Sequence, residues 1–119
     1  MTASRTQEAP RGFTPGLRIA KARDAGDVVI RLEGELELAN VAAMESELTH
    51  VEAGDCRQIV LDLRELSFLD STGIHLLMKA HARASATGRP LALVVDQGPV
   101  QRVLRVSGAL SILPTQAAA

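Results

Sequence analysis

Two stretches of this chain, "QIVLDLREL" at 58–66 and "LALVV" at 91–95, are apolar almost without interruption, and a pattern of helical period lies between them. A strand with one wet face alternates apolar and polar residues, whereas a strand buried on more than one side does not. Ile59, Val60, Leu61 and Leu63 therefore belong to a covered strand. The helix between the runs, roughly 72–87, places Ile74, Leu77, Met78, His81 and Ala84 on one face with Lys79 and Arg83 opposite, and Gly88-Arg89-Pro90 stops it. Strand, helix and strand in that order form a parallel crossover unit, which restricts the chain to the α/β class.

The flanking segments fit that frame. "LRIAKA" from Leu17 alternates as an edge strand does, "AGD" at 25–27 is a turn, and "VVIRLEG" at 28–34 is a second strand, so the pair reads as a hairpin. A helix starts near Asn40, whose side chain is expected to cap it, and carries Val41, Met44, Leu48 and Val51 on its apolar face as far as Gly54. Pro99 opens a third helix with Val100, Val103, Leu104 and Val106, Gly108 ends it, and "ALSIL" is expected to add a short final strand. The expected order is β-β-α-β-α-β-α-β, a mixed four- to five-stranded sheet packed against helices. One domain is expected over residues 17–113, with a flexible arm at 1–16 and a flexible tail at 114–119.

Composition removes several classes of function. Apolar residues make up 46% of the chain, yet only Phe13 and Phe68 are aromatic, so there is no platform for stacking single-stranded bases. A net charge of −1 gives no general attraction for phosphate backbones or anionic lipids, and no direct nucleic-acid partner is expected. No apolar run approaches the ~20 residues of a membrane span, and the polar N-terminus lacks a signal-peptide core. Cys56 is alone, which excludes an internal disulfide. A cytoplasmic setting without cofactors is the expectation.

The chemistry concentrates in "FLDSTGIHLLMK", residues 68–79. It follows the covered strand and opens the helix, the place where open α/β sheets present functional groups. Asp70 or Ser71 can cap the helix there. An esterase elbow needs Gly-x-Ser-x-Gly, but Leu69 stands at the first glycine, and His75 and His81 lie in the following helix where neither easily reaches back to Ser71. An aspartic-protease signature would need one residue fewer, and a phosphate loop would need more glycines and a lysine. His75 and His81 are six apart rather than one turn apart, so no metal pair forms, and His50 lies near the end of the first helix. An exposed serine at a helix N-terminus can instead carry a phosphate, because the free N–H groups accept the added charge, while the same dianion is costly at an apolar interface. On a helical wheel Leu76 falls about 160° from the apolar stripe, beside Ala80 and Arg83, and is expected on the surface as part of that interface.

The blocks "VVIRLEGELELANVAAMESEL", "IVLDLRELSFLDSTGIHLLMKAHARA" and "LALVVDQGPVQRVLRVSGALSIL" resemble, in order and spacing, a STAS domain of the anti-sigma factor antagonist type. The resemblance implies a non-catalytic binding module whose unphosphorylated form binds an anti-sigma factor that is also a serine kinase, freeing the sigma factor. Phosphorylation by that kinase ends the interaction, and a serine phosphatase restores it. By motif match the modified residue is Ser71, with Asp70, Thr72, Gly73 and Glu37 around it. Gly34, Glu35 and Leu36 ahead of the first helix, and Ile74, His75 and Leu76 in the second, are the expected partner-binding residues. The chain departs from the family at Glu37, where aspartate is common, and after Leu113, where the usual C-terminal helix is missing. The rival reading is a constitutive STAS scaffold in a transporter or stress-sensing complex, with Ser71 unmodified.

Overall fold

The computed structural model describes residues 14–118, so most of the expected N-terminal arm lies outside the described residues. Strands β1 (Leu17–Asp24) and β2 (Asp27–Leu36) form an antiparallel hairpin, followed by α1 (Val41–Glu52), β3 (Ile59–Leu69), α2 (Ser71–Thr87), β4 (Leu91–Val94) and α3 (Pro99–Val106). The sheet order is β1-β2-β3-β4, with β2, β3 and β4 mutually parallel. This is the mixed sheet with helices that the sequence implies.

The hairpin closes tightly. Asp24 pairs with Asp27, so the loop is only Ala25 and Gly26, and both have positive φ (53° and 92°). A two-residue type I′ loop needs that backbone, because its twist matches the twist of the strands it joins.

A single core cluster joins Ile30 and Leu32 of β2, Leu61 and Leu63 of β3 and Leu93 of β4 to Met44 and Leu48 of α1, Leu77 of α2 and Leu104 of α3. Alternate residues Val60, Ala92 and Val94 are also buried but fall outside that cluster, so β3 and β4 are covered on both faces, as their unbroken apolar runs imply. On that second face Asp62 is buried and holds two arginines: its oxygens lie 2.9 and 2.8 Å from Arg64 Nε and Nη2 and 3.4 Å from Arg31 Nε. No helix among the described residues is long and apolar enough to cross a membrane.

The C-terminal expectation needs correction. "ALSIL" is not a strand: Ala109–Ser111 forms a 3₁₀ turn, with Ala109 and Leu113 buried and Ile112 exposed. A strand of period two would turn Ser111 inward with Ala109 and Leu113, but Ser111 is exposed, and inward residues four apart with none between them suit a helical turn. A bridge forms instead at Thr115, parallel to Leu93. The Leu93 N–H donates to the Pro114 carbonyl (2.8 Å), and the Gln116 N–H donates to the Leu93 carbonyl (2.9 Å). Part of the expected tail is thus tied to the sheet. The arm also attaches at its end, since the Gly16 carbonyl accepts from Glu35 N (2.9 Å).

The face of α2 also differs from expectation. Its buried residues are Gly73, Leu76, Leu77 and Ala80, whereas Ile74, Met78, His81 and Ala84 are half-buried. Leu76, expected on the surface, is 2% exposed. It shares its side of α2 with Arg83, which reaches across to α1. There Arg83 Nη1 lies 2.9 Å from Glu45 Oε2, and its Nε lies 3.0 Å from Glu52 Oε1. A helical wheel finds the face turned to the sheet but is blind to the neighbouring helix, and α1 covers what the wheel leaves in water.

Candidate functional site

The C-terminal ends of β2 and β3 bring the two chemistry-bearing loops together. In register Glu35 stands beside Phe68 and Leu36 beside Leu69, after which β2 runs into the loop 37–40 and β3 runs directly into α2. Asp70 joins them. It is the N-cap of α2, and its Oδ1 accepts from Gly73 N (3.0 Å) and from the Thr72 hydroxyl (2.6 Å). Its Oδ2 accepts from Leu38 N in the opposite loop (3.1 Å), and its own N–H donates to the Leu36 carbonyl (3.3 Å). Burial pushes the Asp70 carboxyl up, but donation from Thr72 and from the N–H groups of Gly73, Leu38 and Thr72 outweighs it and holds the group below the usual carboxylate range.

With Asp70 as the cap, Ser71 is the first residue of α2 and is exposed. Among the described residues its hydroxyl makes no side-chain hydrogen bond. Gly73 has a packing reason: a Cβ there would lie 2.5 Å from Leu69 Cδ1 and 3.0 Å from the Leu36 carbonyl oxygen. Glycine lets α2 sit directly on the ends of both strands, which fixes where Ser71 emerges. Gly34 serves a similar need, since its φ is 111° and a Cβ would collide with the Gly16 carbonyl.

The loop 37–40 is held by Asn40, a buried residue that the sequence assigns to helix capping. It stands at the N-cap of α1, but its side chain makes no cap hydrogen bond. Its Oδ1 accepts from Glu37 N (3.0 Å), while Nδ2 donates to the carbonyls of Pro15 (2.7 Å) and Glu35 (2.9 Å). Glu37 thus shapes the site through its backbone, its carbonyl also accepting from Asn40 N and Val41 N.

The structure therefore brings Glu35, Glu37, Asp70, Ser71, Thr72 and Gly73 to one end of the sheet. Leu36 is fully buried beneath them and Leu76 deeper in the α1–α2 seam, so neither side chain is an exposed contact. Local pattern gave no hint of Asn40's bonds, whose partners reach back to Pro15. Leu38, 73% exposed at the loop tip, was also missed; a lone leucine between Glu37 and Ala39 is its only signal. A groove of about 490 Å³ opens beside Ser71 between α1 and α2. Val41, Ala42 and Leu76 supply its apolar lining, and Ser71, His75 and Lys79 stand along its α2 side. Among the described residues no group of three or more His, Cys, Asp or Glu side chains could hold a metal ion.

Comparison with known proteins agrees with this architecture. An anti-sigma F factor antagonist of Paenibacillus polymyxa is 29% identical over 100 residues, 82% of this chain and 85% of that protein. The structure of an anti-sigma factor antagonist from Mycobacterium paratuberculosis superposes with a TM-score of 0.80 at 20% identity, covering 88% of this chain and 90% of the other. That of the Bacillus cell fate determinant SpoIIAA in its phosphorylated form gives 0.64 at 26% identity, covering 87% and 91%. The STAS domain profile matches residues 18–118, and the chain belongs to the STAS domain family.

Proposed function

We propose that this chain is an anti-sigma factor antagonist that binds, when unmodified, an anti-sigma factor acting also as a serine kinase, and that phosphorylation of Ser71 ends the interaction. The observation that carries the reading is an exposed serine hydroxyl whose neighbouring carboxylate is already engaged. Both Asp70 oxygens accept hydrogen bonds from loop and helix donors, so Asp70 orders the junction and does not activate Ser71. This favours a hydroxyl acted on from outside over a nucleophile of the chain itself. The curated relative named as an antagonist, and the solved relative described as phosphorylated, support the same choice.

In the transfer, Ser71 Oγ attacks the γ-phosphorus of ATP bound to the partner. The Oγ–P bond forms, the bond to ADP breaks, and the hydroxyl proton passes to a base of the kinase. The product adds nearly two negative charges at a surface that already carries Glu35, Glu37 and Asp70. The N–H groups of α2 make the dianion tolerable to the fold, while desolvation and like-charge repulsion make it costly against a docked partner. A serine phosphatase then hydrolyses the Oγ–P bond with water and restores the binding form.

The test is labelling by anti-sigma factor kinases and ATP, followed by mapping of the phosphate. Label is expected on Ser71 and absent from Ser71→Ala; undiminished label in that variant would reject the assignment. Affinity is expected to survive Ser71→Ala and to fall at least about tenfold in Ser71→Glu. Recovery of transporter subunits instead of a kinase in a pull-down would favour the scaffold reading.

A further inference from the structure

We propose that the phosphate carried by Ser71 is received within the same molecule by His75, with Lys79 adding positive potential from one turn further along α2. The inference rests on the phosphorylation of Ser71 and adds the group that holds the product. Residues 71, 75 and 79 are four apart, so they stack on one side of α2, each about 6 Å along the axis from the last. Helical side chains lean toward the N-terminus, which tilts the imidazole and the ammonium toward Ser71. All three side chains line the groove between α1 and α2.

The surrounding charges leave these two groups free for the task. From α1, Glu45 faces the groove, but its carboxylate is held by Arg83 at 2.9 Å. Asp70 spends its oxygens on Leu38, Thr72 and Gly73, and Glu37 lies in the loop across from Ser71. His75 and Lys79 are exposed, and neither forms an ion pair among the described residues. A dianion on Ser71 thus has Glu37 and Asp70 on its loop side, and on its groove side two basic groups together with Glu45, whose charge Arg83 offsets through one carboxylate oxygen. It swings toward the groove, over the Val41 and Ala42 lining, and occupies space that a docked partner would need.

The test installs phosphoserine at position 71 during translation, so that no kinase is required, and follows the ³¹P resonance through a pH titration. The second ionisation of the phosphate is expected about half a pH unit higher in His75→Gln than in the parent, with a smaller displacement in Lys79→Gln. His50→Gln, in the last turn of α1, is expected to leave it unchanged. Identical midpoints in the parent and both groove variants would overturn the proposal, as would a displacement in Lys79→Gln alone. Those failures leave kinase labelling of Ser71 untouched. Conversely, absent labelling with a displaced midpoint removes the proposed function and keeps the phosphate pair.

Discussion

Asn40 shapes the candidate site without presenting any chemistry of its own. It is 2% exposed, and it uses both amide hydrogens and its oxygen on backbone groups from Pro15, Glu35 and Glu37. Replacing it with alanine leaves two carbonyls and one N–H without partners in a part-buried place, at a cost of about 2–4 kcal/mol. In a domain of this size that lowers the melting temperature by about 10 °C or more, which thermal unfolding followed by circular dichroism would read. A fall of less than about 2 °C would show that the loop does not depend on this clamp. The sequence places Asn40 correctly at the start of a helix, and residue type alone supports that much. What its side chain binds depends on a segment 25 residues earlier that pattern does not connect to it. Ser71 is the opposite case, because exposure follows from its position at a strand-to-helix junction and requires no knowledge of distant contacts.

Elements were legible where a period was strong and a boundary residue was unambiguous. The unbroken apolar runs located β3 and β4, and the 3.6-residue stripe located α1 with its buried Met44, Leu48 and Val51. The orientation of α2 was legible only in part, since Leu76 faces another helix and a wheel drawn for one helix carries no information about its neighbours. The final strand failed for a different reason: "ALSIL" has the composition of a strand but the burial spacing of a turn of helix. At the hairpin the sequence departs from its own geometry. Ala25 holds φ 53°, a region that costs a residue with a Cβ roughly 1–2 kcal/mol. Asparagine tolerates that region better, and Asn-Gly is the preferred pair for such a loop. Ala25→Asn is expected to stabilise the domain by about 0.5–1 kcal/mol and to raise the melting temperature by about 3–6 °C, with phosphorylation of Ser71 unchanged. An unchanged or lower melting temperature would mean that the loop relaxes this strain by other means.

At the scale of the whole molecule, the site and the ionic contacts of the sheet lie in different places. The site gathers at the ends of β2 and β3, whereas Asp62 sits within β3 on the face that the core cluster does not occupy. The Arg64 guanidinium beside Asp62 is the main reason its carboxyl is lowered to about 2; burial opposes this, and the Arg64 N–H and Arg31 add to it. A carboxyl lowered by folding stabilises the native state above its unfolded pKa of 3.8, and that contribution disappears as pH falls toward 2. The shift corresponds to at most about 2–3 kcal/mol, and solvent around both arginines brings it nearer 1. Asp70, also lowered, acts with the same sign. Chemical denaturation of the parent and of Asp62→Asn at pH 6, 4, 3 and 2 separates the two carboxylates. The parent is expected to lose stability steeply between pH 4 and 2. The variant is expected to be weaker at pH 6 and to approach the parent by pH 2, keeping only the shallower slope left by Asp70. Parallel curves over the whole range would show that the two arginines gain nothing from the charge on Asp62. Because neither arginine nor Asp62 lines the groove beside Ser71, kinase labelling at pH 7 is expected to be equal in the two proteins, so the acid response of the fold can be altered without touching the proposed switch.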